Sequence, residues 1–194
     1  MESRTYTMDA RAEAVRGTRR RILETTKRLF EDHWWDEVTL TRIAAEAGVS
    51  HQTVLNHFGS KDGVLAALME KAHGEHHERR RDVAPGDTAT AVGSLLRQYE
   101  QSGLANARAA HQEHRVPALK AALDEARAYH RAWIERTFAH ALPETEPERT
   151  QRIAAFLGAT EVAVWKSLHH DYGFTKRDTA VAMTALVNAL EATP

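Results

Sequence analysis

The feature that most constrains this chain is a pair of short amphipathic segments joined at a glycine. The stretch TLTRIAAEAGVSHQTVLNHFGSK runs from Thr39 to Lys61. Thr39 and Ser50 are placed to cap two helices, and Gly48 permits the left-handed backbone that often ends a helix. The apolar residues at helical spacing are Leu40, Ile43, Ala44, Ala47, Val54, Leu55 and Phe58. Two short helices about a tight turn predict a helix-turn-helix.

The rest of the chain also has helical spacing, and no segment alternates as a strand does. A first helix is predicted over 15–32, and a longer one follows Ser60 toward three consecutive arginines at 79–81. Further helices are predicted over 88–102, 104–114, 117–141, 147–172 and 176–192, with breaks at Gly103, Pro117, LPETEP and YGFT. The expected fold class is all-α, with about nine helices forming an N-terminal three-helix unit and a larger helical body.

Composition narrows the possible functions. The chain has 194 residues, a formal net charge of −1 and no cysteine, which excludes disulfides and thiolate chemistry. No apolar run reaches the ~18 residues of a membrane helix, and the N-terminus lacks a signal-peptide pattern, so a cytoplasmic protein is expected. Nucleic-acid contact must be local in a near-neutral chain. Residues 16–28 hold six basic side chains against one acid, which fits either such a contact or a solvated helix face.

The second segment of the motif has an outward face suited to DNA. In a helix-turn-helix the second helix enters the major groove, where exposed side chains meet base edges. Gln52 and Asn56 lie four residues apart on one face, and amides of this kind pair with adenine. The residues expected to face outward are Ser50, His51, Gln52, Thr53, Asn56 and His57. All of them can hydrogen-bond and none is acidic, which is typical of a surface that meets phosphates.

This motif resembles that of the TetR family of transcriptional regulators. The matching residues are Thr39, Ile43, Ala44, Ala47, Gly48, Val49, Ser50, Thr53, His57, Phe58, Lys61 and Leu65. The resemblance implies that Thr53 and Lys61 hold phosphates. It places Thr39 and Thr41 where they can reach the DNA backbone or a base, and Arg42 where it can contact either. Beyond the motif and the basic helix before it, only the helical architecture is similar.

Two positions depart from the family pattern. Leu55 stands where the family commonly has a tyrosine whose hydroxyl reaches the DNA backbone, and leucine cannot supply that hydrogen bond. Leucine at this position packs inward or contacts a thymine methyl instead. Trp34 and Trp35 stand where the family usually has a glycine and an aromatic residue. Trp34 removes an easy helix cap, and Trp35 is expected in the core.

The resemblance also implies how the chain divides into domains. Residues 1–62 form the expected DNA-binding domain, with a disordered arm over 1–14, and residues 63–194 form a helical ligand-binding and dimerisation domain. Dimerisation is expected through the last two helices, about 147–192, although their apolar stripes also suit an internal core. A symmetric homodimer reads a pseudo-palindromic DNA operator. Repression released by a small-molecule effector is the default that the resemblance implies, although an activator has the same sequence features.

The helical body holds aromatic residues that suit a ligand cavity as well as an ordinary core. They are Tyr99, Trp133, Phe138, Phe156 and Trp165. His130 and His169 are candidates to orient a polar or acidic group of the ligand. An apolar or aromatic effector is expected on this composition, and no cofactor.

Twelve histidines raise the alternative of a metal-responsive regulator. His73 with His76 or His77, and His111 with His114, place two imidazoles on one helical face. The arginines that follow the first group disfavour a cation, so no metal site is predicted. A histidine-based hydrolase is a further alternative, but the chain lacks a nucleophile elbow, a phosphate-binding glycine loop and the H-E-x-x-H motif. A regulator without enzymatic activity is expected.

Overall fold

All the regular structure in the described part of the chain is helical, which confirms the predicted all-α class. The computed structural model describes residues 2–192. The helices are α1 (Glu2–Asp32), α2 (Leu40–Ala47), α3 (His51–Phe58), α4 (Lys61–Arg81), α5 (Thr88–Gln112), α6 (Pro117–Thr137), α7 (Glu148–Ala159), α8 (Val162–Lys166) and α9 (Lys176–Glu191). A 3₁₀ turn at Ala139–Ala141 follows α6, and a π-helical turn at Ser167–Asp171 follows α8.

The chain divides into two compact units, Met1–Lys71 and Ala72–Pro194. The domain boundary predicted from the sequence lies earlier, between residues 62 and 63. The observed division comes later because the first half of α4 supplies buried residues to the first unit. These residues are Val64, Leu65 and Leu68. Residues 1, 193 and 194, which the predicted domains include, lie outside the described residues.

Helix α1 begins at Glu2, whereas the sequence predicts a disordered arm over 1–14. The segment before Gly17 contains no proline or glycine and is rich in alanine, glutamate and arginine, which favour a helix. Further along α1, Ile22 and Phe30 are buried. Burial of that apolar face provides the tertiary packing that stabilises most protein helices.

Trp35 is a core residue of the first unit, as predicted. Its side chain is 2% exposed, and its ring meets Phe30 edge to face with centroids 6.1 Å apart. Trp34 points the other way and remains 44% exposed. Helix α1 ends before both tryptophans without a glycine cap. Its last ladder bond is from the His33 amide to the Leu29 carbonyl, at 2.9 Å.

Helix α5 runs through Gly103, so the break predicted between 88–102 and 104–114 is wrong. Gly103 is buried, and a Cβ atom there would overlap the Cζ3, Cε3 and Cη2 atoms of Trp165. This glycine therefore permits close contact between α5 and α8 and does not end a helix.

The single helix predicted over 147–172 is also wrong, because α7 and α8 are separate. Thr160 is fully buried after the end of α7, and the Glu161 backbone is extended. The Glu161 side chain then accepts the Val162 amide at 3.2 Å and caps α8. Similarly, the helix predicted over 117–141 ends at Thr137 and continues only as the 3₁₀ turn.

Candidate functional site

Both ends of α2 are capped by local hydrogen bonds, as the sequence predicts. Thr39 Oγ1 accepts the Arg42 amide at 3.1 Å. At the other end Gly48 has φ 65° and ψ 38°, the left-handed conformation. The Val49 amide then donates to the Ala44 carbonyl at 3.0 Å. This backbone fixes the direction in which the chain enters α3.

The start of α3 is fixed by two hydroxyl groups. Ser50 Oγ accepts the Thr53 amide at 3.0 Å and lies 2.8 Å from Thr53 Oγ1. Thr53 is half-buried, so its predicted phosphate contact would use a hydroxyl that already bonds to Ser50. Val54 is fully buried and faces the core, and Gly59, with φ 76°, follows the last turn.

The outer face of α3 carries four exposed polar residues, which together form the α3 surface. They are Ser50, His51, Gln52 and Asn56. Gln52 Nε2 donates to Asn56 Oδ1 at 2.9 Å. This bond leaves the Gln52 oxygen as an acceptor and the Asn56 nitrogen as a donor for an external partner. His57 is half-buried, with its ring centroid 6.0 Å from that of Phe58.

On α2, one candidate DNA-contact residue is exposed and the other is already hydrogen-bonded. Thr41 is exposed. Arg42 is half-buried, and its Nε donates to Glu46 Oε1 at 2.9 Å. Its Nη2 also lies 2.9 Å from His33 Nε2. Arg42 must therefore exchange these partners if it contacts DNA.

Lys61 is tied to the first unit. Its Nζ donates to the Trp35 carbonyl at 2.5 Å and lies 4.9 Å from the centroid of the Trp35 ring. Burial lowers the pKa of Lys61, although Asp36 and Asp62 oppose that shift. The amino group thus joins the start of α4 to the Trp35 turn, and its predicted phosphate contact stays a prediction.

Arg19 has a role that the sequence did not reveal. Within the basic run of α1, its Nη1 donates to the His57 carbonyl at 3.1 Å, and its guanidinium lies 4.4 Å from the centroid of the Phe58 ring. Arg19 therefore anchors the end of α3 to α1. A run of similar charges gives no signal for which member is the anchor.

The five aromatic residues proposed for a ligand cavity all lie in the core of the second unit. Each of them, from Tyr99 to Trp165, is 5% exposed or less. Phe138 and Phe156 stack with centroids 4.6 Å apart, and Trp133 meets Phe138 edge to face. Tyr99 donates its hydroxyl to the Thr160 carbonyl at 2.5 Å, and burial raises the pKa of that phenol. Trp133, Phe138 and Phe156 thus contribute to core packing.

The two candidate histidines are in different environments. His130 is half-buried, with Nε2 2.9 Å from Thr160 Oγ1 and Nδ1 3.0 Å from Arg80 Nη1. His169 lies 4 residues after Trp165 near its ring, and its Nδ1 is 2.9 Å from the Phe174 carbonyl. The structure brings His130, but not His169, together with Tyr99 through Thr160.

A buried arginine at the centre of this network was missed in the sequence. Arg80 is only 4% exposed, and its Nη2 donates to Gln98 Oε1 at 2.5 Å. Gln98 Nε2 in turn lies 3.2 Å from His76 Nδ1. Arg80 is four residues after His76, on the same face of α4, and this spacing was the available signal. The Arg80 guanidinium also lies over the Tyr129 and Trp133 rings. Together with the residues linked through Thr160, they form the Arg80 cluster, which consists of His76, Arg80, Gln98, Tyr99, Tyr129, His130, Trp133 and Thr160.

No group of three or more potential metal ligands lies together among the described residues. Neither histidine group considered in the sequence gains a third potential ligand among the described residues. His73 faces Glu125 at 3.9 Å, and His77 stacks on Tyr129 with centroids 3.6 Å apart. Across the same described residues, every helix is too short or too polar to cross a membrane.

Comparison with known proteins identifies the first unit. The family described as bacterial regulatory proteins, tetR family, matches residues 22–68. Over these residues the chain is similar to the TetR family of regulators. Residues 22–68 include all of α2 and α3, and so contain the whole helix-turn-helix. Comparison with curated proteins finds no similar sequence.

Solved structures extend the likeness to the whole TetR-family fold. A protein assigned to the TetR family from Rhodococcus sp. has a TM-score of 0.70 at 14% identity, covering 91% of this chain and 100% of its own. A TetR-family regulator from Streptomyces coelicolor has a TM-score of 0.71 at 17% identity, covering 90% and 79%. A protein assigned as a transcriptional regulator from Pseudomonas aeruginosa PAO1 has a TM-score of 0.69 at 19% identity, covering 90% of each chain.

The family match over the helix-turn-helix and the TetR-like fold support a DNA-binding regulator. The helix-turn-helix predicted from the sequence is thereby confirmed. Leu55, the departure from the TetR pattern, is half-buried on α3. Part of its side chain is accessible beside the α3 surface, and part is packed.

Proposed function

We propose that this protein is a homodimeric repressor that binds a pseudo-palindromic operator through α3 and is released by a small molecule bound in its second unit. The observation that carries the proposal is the α3 surface, where an acid-free row of polar side chains stands on a helix capped at its start by Ser50. In a helix-turn-helix such side chains meet base edges, and flanking groups hold phosphates.

The hydrogen bond between Gln52 and Asn56 supports a role in base reading. It orients the two amides and leaves one acceptor and one donor facing outward. Adenine presents a complementary pair in the major groove, N7 as an acceptor and N6 as a donor. We therefore assign base contacts to Gln52, Asn56 and His51, and backbone contacts to Ser50, Thr39 and Thr41.

The other predicted DNA-contact residues either change their hydrogen-bond partners before they reach DNA or act without direct contact. Arg42 contacts DNA once it leaves Glu46, an exchange that phosphate favours because it offers the guanidinium two acceptor oxygens. Thr53 and His57 border the α3 surface. Lys61 contributes positive potential near the duplex while its amino group stays on the Trp35 carbonyl.

Exposed apolar residues on the last helices support a homodimer. Val181 is 62% exposed and Leu186 is 47% exposed on α9, which packs against α7. On α7, Ala154 and Gly158 are exposed and small enough for close helix approach. A second copy of this chain would cover both apolar side chains, which are costly to leave in water.

The DNA contact is tested by mobility shift with duplex DNA from beside the protein's own gene. Gln52→Ala should weaken specific binding by roughly 5- to 150-fold, which corresponds to about 1–3 kcal/mol for one base contact. Gln101→Ala, at an exposed position of α5, is the matched control and should leave affinity unchanged. Binding should also fall steeply as salt rises. Absence of DNA binding at low salt refutes the proposal.

The dimer is tested by light scattering coupled to size exclusion. Val181→Glu should yield a monomer and weaken operator binding, because one copy reads only half of a pseudo-palindrome. Ala132→Glu adds the same charge to an exposed position of α6 and should leave a dimer. A dimer that persists in Val181→Glu and Leu186→Glu excludes this face as the interface.

A further inference from the structure

The Arg80 guanidinium is buried with most of its donors unused. Of its five N–H groups, one donates to His130 Nδ1 and one to Gln98 Oε1. Its Nε is fully buried without a hydrogen-bond partner. Buried donors are almost always paired in native proteins, so this one calls for an acceptor. Trp133 Nε1, on the ring beneath the guanidinium, is a second buried donor without a partner.

The cluster also lacks a negative charge to balance Arg80. No carboxylate among the described residues pairs with Arg80, and burial lowers the pKa of its guanidinium. A buried charge without a counter-charge is strongly unfavourable. Contacts with the Trp133 and Tyr129 rings, at 5.0 and 5.9 Å, offset only part of that cost. The carbonyl end of α4 offsets a further part.

The two neighbouring histidines are neutral, so Arg80 supplies the single positive charge of the cluster. Burial, and then the charge of Arg80, lowers the pKa of both His76 and His130 to about 3. Arg79, His73 and His77 also disfavour protonation of His76. Both imidazoles are therefore neutral at physiological pH, and each can donate or accept one hydrogen bond per nitrogen.

We propose that the Arg80 cluster is the effector site of the second unit and that it binds the carboxylate of a small organic acid with an aromatic or apolar body. The carboxylate accepts from the free Arg80 N–H groups, and the body packs against the half-buried Tyr129 side chain. The Trp133 ring is already covered by Arg80 and His130. This inference rests on the proposed ligand-binding role of the second unit and specifies its ligand class.

A singly charged carboxylate fits better than phosphate. One guanidinium with two neutral histidines supplies one positive charge, whereas phosphate at neutral pH carries roughly 1.5 to 2 negative charges. The planar guanidinium matches a carboxylate with two parallel N–H···O bonds. The half-buried Tyr129 side chain near Arg80 supplies apolar area for the rest of the ligand.

Thermal unfolding of the full-length protein tests the assignment. Sodium benzoate and sodium phenylacetate are the probes, and benzamide and phenylacetamide are neutral probes of the same shape. Sodium chloride and inorganic phosphate, at equal ionic strength, complete the set. The carboxylates should raise Tm saturably, by about 5–10 °C at 100 times Kd, and the amides should not. Equal shifts with carboxylate and amide, no shift with either carboxylate, or a shift with phosphate alone overturns the proposal.

Two arginine variants locate the effect. Arg80→Met keeps the aliphatic stem and removes the charge, and it should abolish the carboxylate shift. Arg79→Met is the matched control, since Arg79 is a neighbour that pairs with Glu75 at 3.3 Å and should not affect the shift. If Arg80→Met does not fold, Arg80→Lys keeps the charge without the fork and should weaken carboxylate binding at least tenfold. A carboxylate shift that is undiminished in the folded Arg80 variant overturns the proposal.

Failure of this inference is distinguishable from failure of the proposed function. Operator binding without any carboxylate is measured on the same samples by mobility shift. DNA binding without a carboxylate shift removes only the effector assignment. A carboxylate shift without DNA binding removes the regulator assignment and leaves Arg80 as an organic-acid site.

Discussion

The α3 surface and the Arg80 cluster are both polar, but they meet their hydrogen-bonding needs differently. On α3 the bonds are local, since Ser50 pairs with Thr53 and Gln52 pairs with Asn56. In the Arg80 cluster the partners come from α4, α5, α6 and the residue after α7. His130 lies 50 residues from Arg80, and Thr160 lies 61 residues from Tyr99. One set faces solvent, whereas the other is enclosed with an unbalanced charge.

This difference indicates where each region is sensitive to change. Apart from the cap at Ser50, the side chains of the α3 surface contribute little to folding, so substitutions of His51, Gln52 and Asn56 should alter DNA binding alone. In the Arg80 cluster each group is desolvated, so a change of protonation or volume should alter the free energy of unfolding. Three predictions test this difference between the two regions, ordered from the largest expected free-energy change to the smallest.

Lowering the pH should destabilise the second unit. His76 and His130 have a pKa lowered to about 3 in the folded protein. Below pH ~6.5 the unfolded chain takes up protons at both residues while the folded chain does not, so stability is complete above that pH and falls toward pH 3. Between pH 7 and pH 5 we expect a loss of about 2–4 kcal/mol, measured by urea unfolding at each pH.

His130→Gln provides the control for this titration. The amide still accepts and donates hydrogen bonds but does not titrate, so the pH-dependent loss should be about half that of the wild type. Amide exchange would show the loss in the second unit and not around Ser50 and Thr53. An identical pH profile in His130→Gln would contradict the assignment.

Gly103→Ala should destabilise the packing beside the cluster. The new methyl group would overlap the Trp165 ring, which lies next to Tyr99 with centroids 5.9 Å apart. We expect the free energy of unfolding to fall by about 1–3 kcal/mol, as in other overpacked cores. Chemical denaturation followed by circular dichroism measures it.

Gly74→Ala makes the same substitution where a Cβ meets nothing within 4 Å in helix α4. It should stabilise the protein by about 0.5–1 kcal/mol, because alanine favours a helix. The two variants should thus change the free energy of unfolding in opposite directions. If both stabilise, Trp165 yields easily and the contact is not tight.

Leu55→Tyr should act on the DNA surface alone. The phenol hydroxyl would reach a phosphate and add about 1 kcal/mol, so that operator affinity rises roughly fivefold. Leu55→Phe has the ring without the hydroxyl and should show no such gain in a mobility shift. Lower stability with unchanged affinity in both variants would show that Leu55 belongs to the core.

Sequence patterns predicted the local parts of this molecule well. The caps at Thr39 and Ser50 and the turn at Gly48 depend on residues within a few positions of each other, so their chemistry can be read along the chain. Gly103 was misread because the same residue type serves helix ends and close contacts, and only the position of Trp165 distinguishes them. The boundary between α7 and α8 was likewise missed, because Thr160 is buried and its carbonyl accepts from Tyr99, a partner distant in the sequence.

The candidate sites follow the same division. The polar face of α3 was predictable because helical spacing alone groups Gln52 with Asn56. The Arg80 cluster was not, since His130 lies 50 residues from Arg80. The four-residue spacing groups His76 with Arg80 on α4 but does not identify Arg80 as the buried arginine. The sequence singled out His130 as a candidate ligand contact but did not single out its partner Arg80.

The position of Arg80 over Trp133 has an optical consequence. An indole's emission wavelength depends on the electric field across its rings, and here a single positive charge lies 5.0 Å from the ring centroid in a dry environment. Any anion that neutralises this charge changes that field. The protein thus contains an intrinsic fluorophore that reports the charge state of its own interior.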